Sequence, residues 1–239
     1  MNTGVYEKRL RLRSSDVDVD RRLRTSVLFS MFQEAAIAHT EALGMGRAKT
    51  LDKGLLWIVT LQSLEIERMP EYDEDVILKS WPGDTMHLLF PRYYSMETAD
   101  GEPLLKGSSL WSLLDAGTRS IVFPEKHGIK IKGVRTGNEI ALPSAPKSLP
   151  LTDQKEITVT YSITDLNGHL NNTRYFDLAE DFIYGDMKGM NLKSLRSEFS
   201  REIRIGTTFT LSSGREKNRF YVSGSGEKET YFRMSFEYE

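Results

Sequence analysis

The chain runs through one order of elements twice, and this repetition constrains its fold more than any other feature. Val5 to Arg13 sets Leu10 and Leu12 among charged residues, as a half-buried strand does. After an Asp-rich loop, Val27, Leu28, Met31, Phe32, Ala35, Ala36 and His39 recur at the spacing of a helix with one buried face. Thr25 or Ser26 is the expected N-cap and Gly44 the expected stop. Strand-like runs follow at Leu55–Met69, Val76–Trp81, Leu88–Met96 and Leu104–Leu114, separated by Gly83-Asp84, Asp100-Gly101 and Ala116-Gly117 turns. The order then restarts. Ile157, Val159, Tyr161 and Ile163 alternate with polar residues as one strand. A second helix carries Tyr175, Leu178, Ala179 and Phe182, and strands are expected at Leu195–Ile205, Thr208–Leu211, Phe220–Ser223 and Thr230–Tyr238.

Sliding the halves by 147 positions puts Asp165 on Asp18, Leu170 on Leu23 and Phe176 on Phe29, all at the same loop–helix junction. An internal duplication accounts for this. Each half is then a curved antiparallel sheet that must bury one face, and its one long helix is the natural filler. Pro143, Pro146 and Pro150 lie in a stretch without periodicity, so the chain divides into residues 1–132, a linker at 133–152, and residues 153–239.

Composition removes several functions. With no cysteine, disulfides, thiolate metal sites and a cysteine nucleophile are excluded. His39, His87, His127 and His169 are scattered without metal-ligand spacing, so no metal is expected. A net charge of −2 argues against nucleic acid as a partner, and no phosphate-binding glycine loop suggests a nucleotide cofactor. The longest apolar run, Leu55 to Val59, is too short to span a membrane. The start Met1-Asn2-Thr3 lacks the apolar core of a secretory signal, and a cytoplasmic protein is expected.

The densest polar cluster lies between a strand and the second helix: Asp165-Leu166-Asn167-Gly168-His169-Leu170-Asn171-Asn172. In an extended stretch Asp165, Asn167, His169 and Asn171 point the same way. A helix opening near Asn172 and Thr173 offers amide N–H groups and a positive dipole end to a developing oxyanion. Taken singly, Asn172 or Thr173 reads as a cap and Asp165 or Asn167 as a turn former. Taken together, with a histidine among them, they read as a site.

The string from Asp165 to Tyr175, D-L-N-G-H-L-N-N-T-R-Y, resembles the signature of hotdog-fold thioesterases, and most of all that of acyl-acyl-carrier-protein thioesterases. Leu56-Trp57-Ile58-Val59-Thr60 and Glu198-Phe199-Ser200-Arg201-Glu202 fit the same family. The resemblance implies an α+β tandem hotdog, each half a sheet around one helix. It implies a thioester site lined by Asp165, Asn167 and His169 and completed by Glu202. Periodicity alone does not select Glu202, since Arg196, Glu198, Ser200, Glu202 and Arg204 share one face of the expected strand and read as a salt-bridged surface. Where plant relatives carry a cysteine after that glutamate, this chain has Ile203.

The implied reaction is hydrolysis of a fatty acyl thioester without metal or organic cofactor. Glu202 activates water, or less directly forms an acyl anhydride, while His169 and Asn167 position the reactants; Asp165 holds its neighbours in place or, as a loop aspartate does in some hotdog thioesterases, is itself the base. Asp18, Asp20 and Arg22 replace the aspartate, asparagine and histidine in the first half, so one active site per chain is expected, with the first half shaping the acyl pocket. Trp57, Met31 and Phe32 are candidates for its wall, and Asn171 and Asn172 for contacts nearer the thioester; core packing is the competing account of the apolar three. The implied partner is acidic acyl carrier protein, steered by Arg9, Arg11, Arg13, Arg21, Arg22 and Arg24. An acyl-CoA thioesterase and a non-catalytic acyl-binding module remain alternatives, and monomer and homodimer both remain open.

Overall fold

The computed structural model describes residues 4–239; the chain start at Met1–Thr3, from which the absence of a secretory signal was inferred, lies outside them. Ten antiparallel strands form one continuous sheet. The first half supplies β1 (Tyr6–Arg11), β2 (Leu55–Ile66), β3 (Asp75–Pro82), β4 (Phe90–Thr98) and β5 (Pro103–Asp115). The second supplies β6 (Asp153–Thr158), β7 (Leu192–Phe199), β8 (Thr208–Glu216), β9 (Arg219–Ser225) and β10 (Thr230–Tyr238). Across the sheet the order is β1-β3-β4-β5-β2-β7-β10-β9-β8-β6. Read from each edge inward, the two halves have identical connectivity, and they meet where Leu61 to Glu65 of β2 pair with Glu198 to Ser194 of β7.

Helix α1 (Thr25–Ala42) and helix α2 (Arg174–Met187) share one core with the inner faces of both half-sheets. The architecture is the expected α+β tandem hotdog. Phe29 and Phe176, equivalent under the 147-residue offset, stack on each other with centroids 4.3 Å apart and planes at 8°. The local twofold relating the halves therefore passes between them. No helix of the described residues is long and apolar enough to cross a membrane.

Several details differ from the sequence expectation. Arg24, not Thr25 or Ser26, occupies the N-cap of α1, because the Thr25 hydroxyl is drawn across to donate to Glu180 on α2 at 2.7 Å. On α2 the fully buried positions are Tyr175, Phe176, Ala179 and Ile183, while Leu178 and Phe182 are only partly covered. The alternation at Ile157–Ile163 is not one strand: β6 ends at Thr158, and Tyr161–Ile163 form a 3-10 turn with Tyr161 85% exposed. The expected strand Leu195–Ile205 likewise ends at Phe199, where the Ser200 and Arg201 amides both donate to the Tyr231 carbonyl and the chain leaves the sheet.

Residues 133–152 contain no helix or strand, yet they are tied to the sheet along their length. Gly133 donates to Asp84, Trp81 Nε1 to Glu139, and the Ser108 hydroxyl to the Ala141 carbonyl, before Arg196 of β7 reaches Ser144. The segment thus crosses from the strands of one half to those of the other.

Candidate active site

The loop between β6 and α2 is built around Asp165. Its Oδ1 accepts the amides of Asn167 at 2.8 Å and His169 at 3.1 Å, while its own amide donates to the His169 carbonyl at 2.8 Å. A turn this tight needs a left-handed residue, and Gly168 takes that place at φ +75°. The loop is therefore coiled, not extended as the alternation suggests, yet Asp165, Asn167 and His169 still border one cavity while Asn171 does not. Asn171 turns to the helix start, where Oδ1 accepts both the amide and the hydroxyl of Thr173 at 2.9 Å. Its carbonyl accepts the Arg174 amide at 2.8 Å. These bonds occupy two of the N–H groups that an open helix end was expected to offer an oxyanion.

The first half repeats the hydrogen bonds of this aspartate. Asp18 Oδ1 accepts the amides of Asp20 at 2.8 Å and Arg22 at 3.0 Å, and Arg21 stands at φ 65° where Gly168 stands in the second half. Two aspartates 147 positions apart thus do the same structural work in loops with different neighbouring side chains.

Backbone pairing brings the other candidates together. The Leu170 amide donates to the Ile203 carbonyl at 2.7 Å and His169 bridges to Arg204, which sets His169 beside the turn that carries Glu202. His169 Nε2 lies 3.6 Å from Glu202 Oε2, too far for a direct hydrogen bond and close enough for both to hold one small molecule. The His169 side chain is 12% exposed, that of Glu202 42%. Burial holds the imidazole pKa below its ordinary value, and Arg119 and Arg204 add to the effect against the opposing pull of Asp165.

Glu202 is also bonded by the guanidinium of Arg119. Arg119 belongs to the first half, on the turn after β5, with φ 57° and its amide on the Asp115 carbonyl at 2.9 Å. The sequence offered no sign of this contact: Arg119 follows a turn dipeptide, 83 positions from its partner.

These groups line a cavity of about 460 Å³. The second half contributes Asp165, Asn167, His169, Asn172 and Glu202, and the first contributes Arg119 and Leu56 to Val59. Trp57 also borders a second cavity of about 210 Å³, walled largely by apolar groups such as Ala36, Phe90, Trp111 and Ile131. Met31 and Phe32 line neither: Phe32 is buried in the main core, stacked on Tyr94 at 4.2 Å, and Met31 packs beside that core. Among the described residues no cluster of three or more His, Cys, Asp or Glu is arranged for a metal ion.

The arginines near the first loop are largely engaged. Arg11 pairs with Asp73 at 2.9 Å, Arg13 with Asp16 at 3.3 Å, and Arg22 and Arg24 each donate to a backbone carbonyl at 2.9 Å. At the large cavity, Arg201 and Arg204 stand with Arg119.

The family model for the acyl-ACP thioesterase N-terminal domain matches residues 3–126, and that for the C-terminal domain matches residues 147–237. The chain is 24% identical to a palmitoyl-acyl carrier protein thioesterase of Arabidopsis thaliana over 96% of its own length and 60% of the relative's. It is 25% identical to a dodecanoyl-[acyl-carrier-protein] hydrolase of Umbellularia californica, over 83% and 56% respectively. The chain thus spans a little over half the length of these curated relatives. Its fold superimposes on an acyl-ACP thioesterase from Bacteroides thetaiotaomicron with a TM-score of 0.84 at 20% identity, covering 98% of both chains. For the 12:0-ACP thioesterase of Umbellularia californica the TM-score is 0.80 at 18% identity, with 98% and 97% covered.

Proposed function

Because the chain belongs to the acyl-ACP thioesterase family, we propose that it hydrolyses the thioester of a fatty acyl-acyl carrier protein, with Glu202 as the base. The observation that carries this reading is the approach of His169 Nε2 to within 3.6 Å of Glu202 Oε2, in a cavity that shares Trp57 with an apolar one. The reacting carbonyl sits in the first cavity and the chain passes Trp57 into the second.

Glu202 takes a proton from water as its oxygen attacks the thioester carbon. The carbon–sulfur bond then breaks, and the departing sulfur recovers the proton. His169 hydrogen-bonds the water or the carbonyl, and the side-chain amides of Asn167 and Asn172, on the same cavity wall, are donors available to the oxyanion. Arg119 aims Glu202 by donating to its carboxylate. Asp165 is assigned a positioning role, since its Oδ1 is committed to two amides and Asp18 is committed in the same way. Arg204 at the cavity suits an acidic carrier, while Arg201 beside it is paired with Glu229 at 2.7 Å.

The test is hydrolysis of saturated acyl chains on acyl carrier protein and on coenzyme A by the wild type, Glu202→Gln and His169→Ala. Release of fatty acid from the carrier-protein set, lowered about 10²-fold or more in both variants, is the expected result. No hydrolysis by the wild type on either carrier overturns the reading, and activity that survives Glu202→Gln removes Glu202 as the base.

A further inference from the structure

The apolar cavity beyond Trp57 contains a charge that an all-hydrocarbon ligand has no use for. Arg92, near the start of β4, is 5% exposed and is among the residues that line it. Its Nη1 donates to the Ser80 hydroxyl at 3.1 Å and lies 3.5 Å from His39 Nδ1, and its Nη2 donates to the Thr40 hydroxyl at 3.3 Å. None of these partners is a carboxylate, and among the described residues Arg92 makes no ion pair. The one carboxylate on the cavity wall, Glu41, accepts the Arg47 amide at 2.8 Å.

A guanidinium is expensive to bury without an opposite charge, and burial pulls the Arg92 pKa below its ordinary value. Packing does not demand one here, since Phe90, Trp111, Ile131 and Pro82 supply the apolar wall. Ile37 and Leu51, 53% and 48% exposed, also border the cavity, so it is not sealed from water.

We propose that this cavity selects acyl chains bearing an oxygen acceptor toward their far end, a terminal carboxylate above all, and that Arg92 is the group that recognises it. The inference rests on the thioesterase reading for the direction in which the chain enters. Thr40 and Ser80 hold the guanidinium in place, and an incoming carboxylate supplies the anion that the protein lacks.

The experiment compares dodecanoyl, ω-hydroxydodecanoyl and ω-carboxyundecanoyl thioesters on acyl carrier protein, with wild type, Arg92→Lys and Arg92→Met. The expected result is a kcat/KM for the carboxylated chain about tenfold or more above that of the saturated chain in the wild type. Arg92→Lys retains the preference and Arg92→Met loses it. A saturated chain hydrolysed as well as or better than the carboxylated one by the wild type overturns the proposal. A second measurement needs no catalysis: calorimetric binding of methyl dodecanoate and of monomethyl dodecanedioate, which differ only at the far end. If no thioester is hydrolysed, the thioesterase reading falls, and tighter binding of the acid ester to wild type than to Arg92→Met still supports the role of Arg92. Equal binding of the two esters overturns it.

Discussion

Phe29 lies flat on Phe176, its own counterpart 147 positions further along the chain, and this stack marks the axis about which the two halves are related. Each ring also meets a second aromatic edge-on: Phe32 for Phe29, and Phe199 for Phe176. Both residues are buried, at 3% and 0% exposure, so truncating either opens a cavity at the junction of both helices.

Phe29→Ala and Phe176→Ala should each cost about 3–5 kcal/mol of unfolding free energy in urea titrations. The double variant should lose less than the sum, by about 1 kcal/mol, because the stacking contact is lost only once. Strict additivity would show that the rings do not couple.

Glu180 makes stability depend on pH. Burial pushes its carboxyl up to about 7, and Asp177, Asp18 and Asp181 raise it further while the Thr25 hydroxyl opposes them. Below the ordinary carboxylate range the group is neutral whether the chain is folded or not, and its contribution to stability is fully present. As pH rises toward 7 the unfolded chain ionises first, so folding is progressively disfavoured, by up to about 3 kcal/mol. Glu180→Gln should therefore gain on the wild type between about pH 5 and pH 8. A constant difference across that range would contradict the assignment.

Arg119 acts on the site from the opposite half. Arg119→Ala should lower kcat/KM about 10²-fold. Arg119→Lys, which keeps a cation beside Glu202, should restore much of it. An Arg119→Lys variant as slow as Arg119→Ala would show that the charge is not what the site needs.

Gly168 provides a control on the loop. An added Cβ meets nothing within 4 Å, so Gly168→Ala pays only for its left-handed backbone, which Arg21 tolerates at the equivalent point. The expected loss is about 1 kcal/mol in denaturant unfolding, with hydrolysis retained. Loss of activity with the fold intact would show that the loop has no room for a methyl group during turnover.

The duplication, the two helices and most strands could be read from the linear chain, because apolar periodicity and turn residues are local properties. The 147-residue offset was legible at Asp18 and Asp165 because the same turn makes the same demand twice. The grouping of Asp165, Asn167 and His169 was also local, although their directions were not: the hydrogen bonds of Asp165 coil a segment whose alternation reads as extended. Tyr161 shows the same limit, since alternation continues past Thr158 where no partner strand remains to pair.

Glu202 was named by the resemblance and not by periodicity; the Leu170–Ile203 and His169–Arg204 contacts are what bring its turn against the loop. Arg119 and Arg92 were invisible in sequence. Their meaning lies in what surrounds them: a carboxylate 83 positions away for one, and for the other partners that, among the described residues, include no carboxylate. Periodicity records which face of an element is buried. Which charge meets which, and which is left without an opposite, depends on distances between elements that exist only after the two halves close on each other.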